Sequence, residues 1–265
     1  MKTFVKVICV VLVLVIFAAM AIGSGSKKGT ENDTAVNNTK DTIPSENKTD
    51  TKEDTKKETQ QPKEEYEVGN GRAVIYTSSL GTTWVQVSIP VKNTGSVDLY
   101  MSSCSVDLVE DDGHLFESLS LVSVYPQVIK PGETAWYYEE TTLDNAPSGN
   151  LKVQPHVNAK KATVDCVRYE VSEVEVTNDK YSGIKITGWV ENTTSEEASL
   201  PYVVVFMYDA NDELIGQAFT IISDGLKPGD KKGFSMSTFS SYDQFIAENV
   251  KRVEYYSYPT QYQFN

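Results

Sequence analysis

The chain has 265 residues, with 37 acidic side chains against 24 Lys and Arg, and a net charge of −13. Nucleic-acid binding needs a cationic face that displaces counterions from phosphate. No such basic cluster occurs, which excludes that class. The length allows two domains of about 100 residues each after an N-terminal region of different composition.

Lys2 and Lys6 flank the start of an uncharged apolar run, residues 7–23. Its length falls between a secretory h-region and a spanning helix of about 20 residues. Ala19-Met20-Ala21 and Ala21-Ile22-Gly23 both fit a signal-peptidase site. Residues 1–23 are therefore a signal peptide or a single transmembrane anchor, and both stay open. The leading lysines keep the N-terminus inside, so the rest of the chain lies outside the cytoplasm, either anchored or secreted after cleavage. Cys9 lies too early in the run to serve as a lipoprotein cysteine.

Residues 24–65 are rich in Lys, Thr, Glu, Asp and Asn, and nearly free of large apolar side chains. Burial cannot offset ordering entropy in such a segment, so it is expected to be a disordered tether. As a flexible coil it spans roughly 35–40 Å. Its eight Lys nearly balance ten acids, so the net charge falls on residues 66–265. Lys27-Lys28 beside these acids is a weak patch for acidic lipids. Asn32, Asn37 and Asn47 head N-x-Thr sequons that matter only in a eukaryotic secretory cell; a bacterial source is the expectation.

Beyond residue 65, short runs of Val, Ile, Thr and Tyr alternate with Gly, Asn, Asp and Pro. Val85, Val87, Ile89 and Val91 recur at period two, one buried face of a strand, and run into Val91-Lys92-Asn93-Thr94. Cys104, Val106 and Leu108 form a second such face, followed by the hairpin turn Glu110-Asp111-Asp112-Gly113. Next comes IKPGETAWY, residues 129–137. Pro131 suits the second position of a type II turn, and Gly132 the third, which needs positive φ.

The same order returns about a hundred residues later. Ile184, Ile186, Gly188 and Val190 lie 99 residues after the first face, and Val190-Glu191-Asn192-Thr193 repeats the Val-x-Asn-Thr step. Val203, Val205 and Met207 follow, then the turn Asp209-Ala210-Asn211-Asp212, then LKPGDKKGF, residues 226–234, at an offset of 97. The expected fold is all-β: two tandem Ig-like β-sandwich modules, residues 66–162 and 163–265, after an N-terminal hydrophobic helix and a disordered tether. Helical periodicity is confined to residues 241–249, where Phe245, Ile246 and Val250 line one side for a turn or two.

Little here can carry chemistry. His114 follows a hairpin turn and His156 lies near the last strand of the first module, and both read as ordinary surface residues. No zinc spacing, nucleophile elbow or phosphate-cradling glycine loop occurs. Each acidic turn offers two or three carboxylates, short of the six to eight oxygens that calcium takes. No catalytic, cofactor-binding or metal-binding residue is assigned. Outside the apolar run stand Cys104 and Cys166. An oxidising compartment favours a disulfide between them, whereas a reduced Cys104 fits a core strand equally well.

Thr187-Gly188-Trp189-Val190-Glu191-Asn192, Val205-Phe206-Met207-Tyr208-Asp209 and Leu226-Lys227-Pro228-Gly229 together resemble the FxLYD domain family over about residues 167–258. Val205 and Met207 stand where the name-giving motif has Phe and Leu. The first module, with Leu108-Val109-Glu110 there, is a divergent relative or another Ig-like sandwich. The resemblance implies a β-sandwich module of bacterial envelope or secreted proteins and brings no catalytic residues.

The expected function is a non-catalytic binding or adhesion module in the cell envelope or secreted. Its partner would be an envelope protein or a cell-wall polymer, with the membrane a further partner if the N-terminal segment stays uncleaved. The alternative is a structural spacer or accessory domain of an envelope complex; a hydrolase is the remaining class. The C-terminal segment VEYYSYPTQYQF offers a candidate aromatic contact surface in Tyr256, Tyr258, Tyr262 and Phe264, since exposed Tyr joins apolar area to a hydrogen-bonding tip. The other reading of these rings is that they seal a sheet edge.

Overall fold

A computed structural model describes residues 63–259 except 181, 182, 239, 241, 243 and 244. Residues 1–62 and 260–265 lie outside it, and with them the N-terminal apolar run, nearly all of the tether, Tyr262 and Phe264. The described residues belong to one compact unit.

The described chain is all-β with several antiparallel sheets. The N-terminal half contributes β1 (Tyr66–Val68), β2 (Arg72–Thr77), β3 (Thr83–Asn93), β4 (Leu99–Met101), β5 (Cys104–Glu110), β6 (Leu115–Tyr125), β7 (Val128–Ile129), β8 (Thr134–Thr142), β9 (Leu151–His156) and β10 (Ala159–Lys161). The C-terminal half contributes β11 (Glu170–Asp179), β12 (Gly183–Glu191), β13 (Pro201–Tyr208), β14 (Leu214–Ile221), β15 (Lys231–Thr238) and β16 (Arg252–Pro259). The helical turn expected at 241–249 is a short 3₁₀ turn at Ala247–Asn249. Phe245 is buried beside it but Ile246 is exposed, so the expected apolar face is incomplete.

Each half has its own core, built from the period-two faces read in the sequence. Val85, Val87, Ile89 and Val91 of β3 are fully buried with Val106 and Leu108 of β5 and Tyr137 of β8. Ile184, Ile186 and Val190 of β12 are buried with Val203, Val205 and Met207 of β13. Gly188 interrupts the β12 series because the Phe234 ring occupies the place of its side chain: a Cβ there would stand 2.7 Å from the ring.

Register repeats as well as composition. Val106 opposes Leu119 and Val109 opposes Leu115, with a bulge between Leu108 and Val109. At an offset of 99, Val205 opposes Ala218 and Tyr208 opposes Leu214, with the bulge between Met207 and Tyr208. The Asn step and the Pro-Gly turn form one repeated device. The Asn93 amide donates to the carbonyls of Val97 and Ile129 at 2.8 and 3.1 Å, while its Oδ1 accepts from Gly95 N–H. The Asn192 amide donates to Glu196 and Leu226 at 2.7 and 2.9 Å, and its Oδ1 accepts from Thr194 N–H. Both asparagines are fully buried. Gly132 N–H donates to the Asn93 carbonyl and Gly229 N–H to that of Asn192. The two glycines have φ of 86° and 82°, the left-handed geometry that the type II turn requires. A buried amide thus satisfies the carbonyls of a loop crossing the strand ends, and the Pro-Gly turn closes over it.

The halves differ in how their sheets close. β6 turns at Leu121, φ 64°, and pairs first with β5 and then with β8, giving one sheet in the order β1-β3-β8-β6-β5-β9 with β2 also on β3. A small second sheet, β10-β4-β7, accompanies it, whereas the C-terminal half is divided into two three-stranded sheets, β11-β12-β15 and β14-β13-β16. A third apolar cluster lies between the halves. It joins Val128, Trp136 and Tyr138 to Val204, Phe206, Tyr208, Leu214 and Tyr258. Both faces of β13 are therefore dry, one against its own core and one against the N-terminal half.

Candidate functional site: the aromatic seam between the halves

Strand alternation places Tyr202, Val204, Phe206 and Tyr208 on the face of β13 opposite its own core. Pairing sets Tyr258 and Tyr256 of β16 beside Tyr202 and Val204, and Ile221 and Phe219 of β14 on their other side. The N-terminal half answers with Trp136, whose ring lies 6.5 Å from Phe206 and 6.0 Å from Tyr208, and with Tyr125.

At the Tyr125 end the seam opens to solvent as a ladder of rings. Tyr258 stacks on Tyr202 at 5.7 Å, Tyr202 on Phe219 at 5.3 Å, and Tyr125 lies 5.9 Å from Phe219 and 6.2 Å from Tyr202. Phe219 is 48% exposed and Ile221 38%, while Tyr125 and Tyr202 are half-buried. Burial raises the Tyr125 phenol to about 12, with the neighbouring Tyr202 adding to it, and raises that of Tyr202. Both stay neutral hydroxyls, so this end is apolar and uncharged with hydrogen-bonding tips. Beside Phe219 on the same face of β14, Gln217 is buried with its Nε2 unpartnered.

The middle and far end of the seam are polar and closed. Arg168 donates to the Val128 carbonyl at 2.7 Å, pairs with Glu133 at 2.8 Å, and lies over the Tyr256 ring at 5.5 Å. Glu133 also caps its own Pro-Gly turn through Lys130 N–H. Gln86 donates to the Ile215 carbonyl, and Arg72 to that of Leu214. The Glu140 carboxylate accepts from Tyr76, from Tyr138 and, across the seam, from Ser240. Its neighbour Glu139 points the other way, toward the N-terminal core. Burial and the adjacent Glu140 raise its carboxyl to about 7.

The residues singled out in the sequence are dispersed. Tyr258 is 3% exposed and Tyr256 half-buried, so neither contributes an open surface. The extended chain turns them into the seam, where the facing half covers them. Cys104 and Cys166 are both free thiols. Cys104 packs in the N-terminal core, while Cys166 lies at the seam with its thiol 3.6 Å from the Val128 carbonyl. Burial raises both to about 11, the range of unreactive thiols. His114 is exposed in its hairpin turn, and His156 is exposed beside Asp107 at 2.8 Å. The turn carboxylates cap backbone or pair with cations: Asp112 accepts from His114 N–H, Asp209 from Asn211 and Glu213, and Asp212 meets Arg252 at 2.7 Å. Among the described residues no three His, Cys, Asp or Glu converge as metal ligands. None of the described helical segments is long and apolar enough to cross a membrane.

The ladder residues Tyr125, Tyr202 and Phe219 were missed in the sequence. A signal existed: at an offset of 99, Tyr202 and Phe219 replace Ser103 and Ser120. A change from Ser to aromatic at matching positions of the two halves marks them as sites to inspect for a contact. The sequence matches no protein-family model, and no curated protein matches it.

Proposed function

We propose that the chain is a non-catalytic binding module held outside the cytoplasm of a bacterial cell, built of two tandem Ig-like β-sandwiches. On this reading the N-terminal apolar run is the signal or anchor, residues 24–65 are the tether, and the C-terminal sandwich belongs with FxLYD domains. The repeated Asn–Pro-Gly device and the repeated register support the tandem reading. The observation that carries the binding function is the open edge of the ladder. Phe219 and Ile221 are exposed beside Tyr125 and Tyr202 on a rigid sheet, and a solvent-facing aromatic cluster of this kind fits a protein or cell-wall polymer.

Purified envelope from the source cell provides the test. Phe219→Ser, with Thr220→Ser as control, should lose at least tenfold in binding while melting like the parent. Equal binding by both variants would remove the ladder from the function. Protease added to intact cells should release residues 66–265 as one fragment, and protection until lysis would overturn the extracytoplasmic placement. The apolar seam favours a second reading, a stiff spacer in an envelope complex, since it fuses the halves into one unit. That reading survives if neither variant changes binding.

A further inference from the structure

Among the described residues β14 pairs with β13 alone, so its other side is a sheet edge. The register determines which groups lie there. Ile222 N–H donates to the Pro201 carbonyl at 2.9 Å, which makes 201 and 222 a hydrogen-bonded pair. Such pairs recur at every second residue of an antiparallel ladder, so Thr220, Ala218 and Gly216 bond to β13. The far side of β13 obeys the same alternation: Ser257, opposite Val203, turns its carbonyl outward, where Tyr169 N–H meets it. The N–H and C=O of Phe219 and Ile221 therefore point away from β13, and among the described residues no hydrogen bond reaches them. The start of the edge is covered, since Gln86 and Arg72 bond the Ile215 and Leu214 carbonyls and Gln217 is buried. From Phe219 onward it is bare. We propose that β14 receives an extended segment of another polypeptide, which joins its sheet as a fourth strand along residues 219–221.

Edge strands invite such pairing unless something blocks it, and the other terminal strands of the C-terminal sheets are guarded. β11 carries Glu170, Glu173, Glu175 and Asp179, and a bulge between Ser172 and Glu175 breaks its run. β15 opens on Lys231 and Lys232, and β16 carries Arg252 and Glu254. β14 has no charged side chain from Leu214 to Ile221. Backbone N–H and C=O groups at the strand repeat match an extended polypeptide, so the edge selects a peptide over a glycan. Residues of the added strand opposite Phe219 and Ile221 set their side chains on the ladder face, where apolar or aromatic groups fit. Charge complementarity gives the rest. The bare edge is uncharged and the chain carries −13, so the segment is uncharged where it pairs and basic at its flanks. A second copy of this chain fits poorly: it brings another −13, and a two-fold joining β14 to β14 crowds both N-terminal halves onto one side of the joined sheet. The biological partner rests on the reading of the ladder as the binding surface; the open edge itself does not.

Amide hydrogen exchange on the full chain reads the edge directly. The Phe219 and Ile221 amides should exchange at least tenfold faster than those of Ala218 and Thr220. The probe is an acetylated peptide, Lys-Thr-Tyr-Thr-Val-Thr-Lys, whose Tyr and Val can face the ladder. It should slow the Phe219 and Ile221 amides at least tenfold. Methylating the peptide nitrogens of Tyr and Val removes the donors that face β14 and should abolish that protection, while methylating the Thr between them should not. Ile221→Pro deletes an edge N–H and leaves the ladder to β13 intact, so it should fold and lose at least tenfold in peptide affinity. Edge amides already protected in the free chain, protection that rises with protein concentration alone, or a peptide that protects nothing would each overturn the proposal. So would equal binding by the two methylated peptides. Envelope binding by Phe219→Ser separates this pairing from the ladder reading. Parental envelope binding alongside the expected peptide protection keeps the strand pairing and removes the ladder from the function. Loss of envelope binding without peptide protection keeps the ladder and overturns the pairing.

Discussion

At an offset of 99, Asp107 corresponds to Phe206, Ser105 to Val204 and Ser103 to Tyr202. In the opposite direction, at an offset of 97, Trp136 corresponds to Gly233, Tyr138 to Ser235 and Glu140 to Ser237. The inward positions of the same strands stay apolar in both halves, Glu139 at the end of β8 excepted. The halves thus share an internal code and differ on their outer faces. One sheet of each half has become dry, and the two dry sheets are not equivalent: the β3–β8 sheet meets the β14-β13-β16 sheet. Such a heterologous contact could recruit further copies if the remaining faces were apolar. Ser105 and Asp107 on one outer face, and Gly233, Ser235 and Ser237 on the other, confine it to one seam.

The largest break in this symmetry should come from equivalent positions on β5 and β13. Phe206 is fully buried against Trp136 and Tyr256. Phe206→Ala should cost about 3–5 kcal/mol, read as a lower denaturant midpoint. Asp107, which bonds Ser118 and His156 on the surface, should give an Asp107→Ala variant that melts like the parent. A small effect at Phe206 would mean that the seam contributes little and that the halves fold independently.

Where the halves agree, paired mutations should agree. Asn93→Ala and Asn192→Ala each remove the amide donor of one buried and one part-buried carbonyl, so each should cost about 1–3 kcal/mol in equilibrium unfolding. A difference of more than about 1 kcal/mol between them would show that the two devices are not energetically equivalent. The turns above them come next. A Cβ at Gly132 or Gly229 meets nothing within 4 Å, so valine there costs only the strain of its positive φ, about 1–3 kcal/mol in either half. A neutral effect at Gly229 would mean that the turn changes type to accept a side chain.

The device and the cores were legible because both are local. Val-x-Asn, the hairpin turns and Lys-Pro-Gly-acid each fix their geometry within a few residues, and period two marks the buried face. The seam was not legible in that way. Reading Val203, Val205 and Met207 as one face left Val204, Phe206 and Tyr208 unexplained, although an unbroken apolar run signals a strand buried on both sides. The burial of Tyr258 and the partial burial of Tyr256 were hidden for a related reason. Tyr256 and Tyr258 look exposed when β16 is taken as an edge of one module, and they are half-buried and buried once a second sheet lies over them.

The smallest expected effect concerns one inward position where the halves disagree. Glu139 aligns at an offset of 97 with Met236, which is 6% exposed in the C-terminal core. On β8, Glu139 shares the face of Ala135 and Tyr137 and opposes Val87, all three fully buried. Burial, reinforced by Glu140, raises its carboxyl to about 7. Between its ordinary value and about 7 the folded chain holds a proton that the unfolded chain has released. The unfolded state then binds fewer protons, so stability falls as pH rises through this window, and the loss is complete above about pH 7. Glu139→Met should remove that slope and stabilise by about 1–2 kcal/mol at pH 8, with little gain at pH 4; the range is set below the full shift because the side chain is not wholly enclosed. Met236→Glu should install the same slope in the other half. Urea unfolding at four or five pH values decides the matter. Parallel pH profiles for the parent and Glu139→Met would show that the carboxylate is hydrated in solution and that the N-terminal core ends two residues earlier, at Tyr137.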